Sequence, residues 1–118
     1  MSWQIHISRM AQQDIEEALA WTLEHFGERK YEEYRDLIKL ALNELATDPR
    51  HSQTRRRSEI HPSARTLHLS RRGKRARHFL LFRVVDEQTV EVGRLLYDAM
   101  DISRHLPPEY RPKDSDKP

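Results

Sequence analysis

A chain of 118 residues, 36% apolar and 34% charged, has material for one modest core and not for two. With no cysteine, disulfide frameworks and thiolate chemistry are excluded. No apolar run has the length of a membrane span or a signal peptide, so a soluble, cytoplasmic protein that avoids membranes is the expectation.

The net charge of +2 hides an uneven distribution. Residues 1–49 carry five Lys/Arg and ten Asp/Glu, residues 50–83 carry eleven against Glu59 alone, and residues 84–118 carry five against eight. A basic middle between acidic flanks predicts a positive face. Such a face attracts phosphate backbones or an acidic protein segment.

Trp3, Ile5 and Ile7 alternate with Gln4, His6 and Ser8, the period of a half-buried strand. Ser8 can then accept from orphan N–H groups as a helix N-cap. Ala11, Ile15, Ala18, Leu19, Thr22 and Phe26 form one helical stripe, and Gly27 stops that helix. A second helix presents Tyr34, Leu37, Ile38, Ala41, Leu42 and Leu45 on one face. Its acidic first half suits the helix dipole, and Thr47-Asp48-Pro49 ends it. Residues 50–64 have no period and read as a basic loop. Leu67 and Leu69 mark a strand, Gly73 a turn, and His78 to Val85 a nearly continuous apolar strand. Asp86-Glu87-Gln88 turns the chain into a last strand, Thr89 to Tyr97. Asp101 caps a short helical turn through His105. Pro107-Pro108 closes the ordered part and leaves 107–118 as a flexible tail.

Strand, two helices, then three strands joined by hairpins predict one α+β domain over residues 1–106. An antiparallel helical hairpin covers a small sheet made by a three-stranded antiparallel meander. The first strand is expected in the same sheet, with its neighbour open.

The run from Arg94 to Leu106, Arg-Leu-Leu-Tyr-Asp-Ala-Met-Asp-Ile-Ser-Arg-His-Leu, resembles the ending Arg-Ile-Leu-His-x-x-Met-Asp-x-x-x-His-Leu of ParE-like toxins in the ParE/RelE superfamily. Ala11-x-x-Asp14-Ile15 and Leu45-Ala46-x-x-Pro49 agree with the same pattern. The resemblance spans residues 3–106. Tyr97 departs from it, standing where the pattern has histidine. The resemblance implies a RelE-like fold and the toxin of a type II toxin–antitoxin pair of the plasmid stabilisation family. Such a toxin is neutralised by a ParD-like antitoxin in a hetero-oligomer and needs no cofactor. It acts by binding DNA gyrase and blocking replication, which requires a surface and not a catalytic group. The alternative within the superfamily is a ribosome-dependent mRNA endoribonuclease that inhibits translation.

Cleavage of RNA would need cations and a proton-transfer group, and Arg65, Arg77, Arg83, Arg94 and Tyr97 are the candidates. The bland reading of Arg83 and Arg94 is that they pair with acids or cover the sheet edge with their stems. On the gyrase reading, target contact falls to Arg71, Arg72, Lys74 and Arg75 at a hairpin tip. Arg83, Arg94, Met100, Asp101 and His105 join them. Trp21, Tyr31 and Tyr34, on or beside the helix stripes, pack in the core or meet an antitoxin arm. The seven histidines show no ligand spacing, so no metal is expected.

Overall fold

The computed structural model describes residues 2–71, 73–99 and 102–110. Strand β1, Gln4–Ile7, leads into helix α1, Arg9–Phe26, and helix α2, Glu28–Thr47. Strands β2, Arg55–Arg56, β3, Ala64–His68, β4, His78–Val84, and β5, Thr89–Tyr97, follow. Short 3-10 turns lie at Ile102–Arg104 and Pro108–Tyr110.

Local signals act as the sequence suggests. Ser8 caps α1 by accepting the Ala11 N–H at 3.0 Å, an interaction worth about 1 kcal/mol. Gly27 joins the helices with φ 87° and ψ 178°, a conformation that only glycine adopts without strain. Its N–H closes α1 on the Leu23 carbonyl at 3.0 Å.

The sheet is larger than the meander and mixed in direction. Its order is β1-β5-β4-β3-β2, with β1 parallel to β5 and the other pairs antiparallel. The meander β3-β4-β5 is its centre. The added strand β2 lies within the stretch read as a basic loop, because two exposed arginines carry no apolar alternation to announce a strand.

The helices cover one face. Ala11, Leu37, Ile38, Ala41 and Leu45 meet Leu67, Leu80, Phe82, Val90, Val92 and Leu95 there. The opposite face carries a second, smaller core of Ala64, Phe79, Leu81 and Leu96, covered by Leu106 and Tyr110. Pro107-Pro108 therefore does not end the ordered chain, and Tyr110 is fully buried. An isolated aromatic after two prolines gives no periodic signal, so the sequence places the boundary too early. Residues 111–118 lie outside the described residues.

A bulge lets β5 serve both cores. Register shifts between Leu81 and Phe82, which pair with Arg94 and Val92, so Gly93 is the extra residue. Val90, Val92 and Leu95 consequently share the helix face, although simple alternation would put Leu95 on the other. A Cβ at Gly93 would sit 3.0 Å from Tyr110 Cε1 and 3.1 Å from Pro107 Cγ. Absence of that carbon lets the C-terminal segment lie against β5.

Helix α1 also seals an edge. The pairing of β1 with β5 ends at Ile7 and Val92. Beyond it Ser8 Oγ donates to the Gly93 carbonyl at 2.9 Å, and Asp14 Oδ2 accepts the Leu95 N–H at 3.0 Å. These bonds satisfy backbone groups that an open strand edge would expose.

Candidate functional site

At the end of the sheet where α1 stops and α2 starts, an open groove of about 550 Å³ separates the helical hairpin from the β3–β4 turn. Trp21 and Phe26 from α1 form one wall, and Tyr34 and Leu37 from α2 line the base. Lys74, Arg75 and Arg77 from the turn, with His78 and Tyr97, form the other side. Trp21 is 54% exposed and Phe26 61%. The buried stripe therefore stops short of Phe26, which stands in solvent at the end of α1. Trp21 stacks on His25 at 4.2 Å and meets Phe26 edge-on at 5.5 Å. Adjacent exposed aromatics of this size mark a partner surface more often than an idle one.

The base of the groove is polar and ordered. Tyr34 Oη accepts the Arg77 N–H at 3.2 Å and so donates its proton to His78 Nδ1 at 2.5 Å. The Tyr97 ring meets His78 edge-on at 5.6 Å. Beyond it His68 Nδ1 accepts the Ser70 N–H at 3.1 Å, leaving Nε2 to donate to Asp98 at 3.1 Å. Burial pushes the His78 pKa down, against the pull of Asp98, and burial raises that of Tyr34. Burial therefore favours the neutral imidazole in the folded chain.

This has a consequence for stability. As pH falls through about 6.5 the unfolded chain takes up a proton at this position before the folded chain does. His78 thus lowers stability as pH falls from about 6.5 to its depressed folded value, by at most about 1.4 kcal/mol per pH unit. Thermal unfolding between pH 5 and 7 should be flatter in His78→Gln than in the parent. Parallel curves for the two proteins would contradict the burial argument.

The candidate cations separate into two groups. Arg94 makes two parallel bonds to Asp14, 2.7 and 2.9 Å, and donates to the His105 carbonyl at 3.0 Å. Its side chain is only 15% exposed. Arg83 pairs with Glu91 at 3.0 Å and lies over the Tyr110 ring. Arg71, expected to stand free at the hairpin tip, folds back onto Glu44 of α2 and donates to the Ser70 carbonyl at 2.7 Å. Four of its five N–H donors are used within the chain, leaving at most one for a target. Lys74, Arg75 and Arg77 are exposed, and among the described residues they make no ion pair.

Arg65, Arg77, Arg83, Arg94 and Tyr97 do not converge. Arg77 and Tyr97 line the groove, Arg65 lies at the far end of the β3–β4 hairpin beside Thr54, and Arg83 and Arg94 are engaged elsewhere. Tyr31 is half-buried beneath Arg35 and does not line the groove. His105 is half-buried and contributes its carbonyl to Arg94. Arg72, Met100 and Asp101 lie outside the described residues. Among the described residues no set of three metal-ligating side chains gathers, and no helix is long and apolar enough to cross a membrane.

Sequence reasoning passes over Phe26 and His78 as groove residues. His78 had a readable signal, since it shares a face with Leu80 and Phe82 and so must point toward the helices. Phe26 had none, because helical periodicity continues past the point where the sheet ends.

Known proteins share this chain's pattern. The family model described as "ParE toxin of type II toxin-antitoxin system, parDE" matches residues 5–102. Two curated relatives from Mycobacterium tuberculosis, strains CDC 1551 / Oshkosh and H37Rv, are both named Toxin ParE1. Each is 32% identical over 106 residues, covering 90% of this chain and the whole of the relative. A solved structure titled "Chromosomal ParDE TA system from P. aeruginosa" superimposes with a TM-score of 0.65 at 19% identity. It covers 81% of this chain and 96% of that one, and it supports the fold. With the family model spanning nearly all the described residues and the Asp14–Arg94 clasp joining two of the motif segments, the chain belongs to the ParE toxin family of type II toxin–antitoxin systems.

Proposed function

We propose that this toxin acts by binding DNA gyrase and blocking replication, and that a ParD-like antitoxin neutralises it by laying an arm in the groove. The observation that carries the reading is the state of the cations. An RNase needs unpaired donors gathered round one phosphate. Arg83 and Arg94 are instead neutralised by Glu91 and Asp14, and the sheet face opposite the helices is filled by Leu106 and Tyr110. A toxin that works by occupying a surface needs no such convergence.

The groove suits an arm that folds as it binds. Apolar side chains of that arm would seat against Trp21, Phe26 and Tyr34, and its acids would meet Lys74, Arg75 and Arg77. Lys74 and Arg75 are also the tip cations left free for a target. An arm in the groove would cover them, so neutralisation follows from occupancy alone.

The deciding experiment runs the purified toxin in parallel assays of gyrase supercoiling and of ribosome-dependent mRNA cleavage. Supercoiling should be inhibited and the mRNA left intact. Codon-dependent cleavage with gyrase untouched would reverse the assignment in favour of the endoribonuclease.

A further inference from the structure

At the opposite end of the β3–β4 hairpin from the groove lies a second cleft of about 410 Å³, lined by Arg50, Arg56, Pro62, Ser63, Arg65 and Val84. Its chemistry differs from that of the groove. Three guanidinium groups border it, and among the described residues none makes an ion pair.

The sheet itself forces two of them together. Arg56 and Arg65 are directly opposed in the antiparallel register of β2 and β3. Residues directly opposite project on one side of the sheet within about 5 Å at Cβ, where like charges destabilise the pair. Arg50 joins them from the segment after α2, its guanidinium also resting over the Trp3 ring. Arg65 is half-buried, with one donor on Thr54 Oγ1 at 2.8 Å and its Nε buried without a partner. Burial, then repulsion from Arg50 and Arg56, holds its pKa below the ordinary value. Asp48 opposes this without forming an ion pair with Arg65, and its Oδ1 accepts the backbone N–H of Arg50 at 2.9 Å.

Elsewhere the fold matches its inward-turned arginines with acids: Arg71 with Glu44, Arg83 with Glu91, Arg94 with Asp14. Here it gathers three, none of them in an ion pair, with Asp48 as the one carboxylate acting on Arg65. A tetrahedral oxyanion offers several acceptors and the negative charge that this set lacks.

We propose that the Arg50–Arg56–Arg65 cleft binds a phosphate group. The proposal is independent of the gyrase reading, and the ligand has two sources with one chemistry: a small free phosphate, or a phosphodiester of a nucleic-acid backbone.

The full-length toxin would be titrated with inorganic phosphate at constant ionic strength, against chloride, while following the arginine side-chain resonances by NMR. Phosphate should shift the Arg65 guanidinium resonance saturably. Arg56→Gln, on an exposed edge strand, should weaken that response about tenfold, the loss of one charge-assisted contact. Arg55→Gln removes the same charge from the neighbouring position, whose side chain points to the other face, and should leave the response unchanged. A short DNA duplex, read by fluorescence anisotropy, separates the sources. Duplex binding that phosphate competes away and Arg56→Gln weakens places a backbone phosphodiester in the cleft. Phosphate binding with no Arg56-dependent duplex binding assigns the cleft to a small phosphate. An Arg65 resonance indifferent to phosphate, or equal losses in Arg55→Gln and Arg56→Gln, would overturn the proposal by reducing the cluster to diffuse positive charge.

Discussion

Arg94→Ala is expected to lower the unfolding free energy by about 3 kcal/mol, because it strands a carboxylate that is otherwise fully matched. Asp14 is 13% exposed at its side chain and Arg94 15%. The two parallel bonds between them hold α1 against β5, and the guanidinium extends the tie to the C-terminal segment through the His105 carbonyl. Removing it leaves Asp14 with the Leu95 N–H alone. In a chain of this size the loss corresponds to a fall in Tm of about 10 °C. Arg94→Lys should recover little, since a single ammonium cannot make the paired bonds. Asp14→Ala with Arg94→Ala should cost less than the sum of the single changes, because neither charge is then left alone. Thermal unfolding of the parent and the four variants tests this. An Arg94→Ala variant with the parent's Tm would return Arg94 to the free cations and make target contact its natural role.

The clasp explains why two separated stretches carry the family resemblance together. Ala11-x-x-Asp14 and the run beginning at Arg94 lie far apart in sequence, yet they are two halves of one ion pair. Such a pair is legible once both halves are suspected of meeting. Sequence alone indicates that a cation in a strand is rarely idle. It does not say whether the partner is an acid of the same chain or a phosphate outside it.

Other features divide by the range of the forces that set them. Ser8 as a cap, Gly27 as a joint, and the strands β4 and β5 are local matters of capping, backbone freedom and alternation, and their residues display them. Strand β2 is held by its partner β3, so nothing in Arg55-Arg56 announces it. Burial of Tyr110 depends on the missing Cβ of Gly93, a coincidence of shape between distant positions. The groove is the least legible feature. Trp21 lies off the buried stripe of α1 and Phe26, in its last turn, is uncovered although Thr22 before it is buried, and a helical stripe looks the same whether or not something lies beneath its last turn. Among the described residues most of the basic middle divides into arginines tied to acids, free cations beside the groove, and the trio at the other end of the hairpin.

The groove gives the second large expected effect. Trp21→Ala should weaken antitoxin binding about 100-fold, a loss typical of an aromatic anchor at the centre of an interface. Trp21 contributes little to the fold, being 54% exposed and touching mainly His25 and Phe26 of its own helix. Its removal should therefore change stability by no more than about 0.5 kcal/mol. Cells expressing Trp21→Ala should stop growing even when the antitoxin is co-expressed at a level that protects against the parent. Neutralising Lys74, Arg75 and Arg77 together should act differently, slowing association with a strong dependence on ionic strength. Because Lys74 and Arg75 are also assigned to target contact, that triple variant should lose toxicity as well as antitoxin affinity, whereas Trp21→Ala should lose only affinity. The measurements are calorimetric or surface-binding titrations with the antitoxin, growth on induction, and circular dichroism as the check on folding. If Trp21→Ala is bound and neutralised like the parent, the antitoxin arm lies elsewhere. The exposed aromatics would then need another partner.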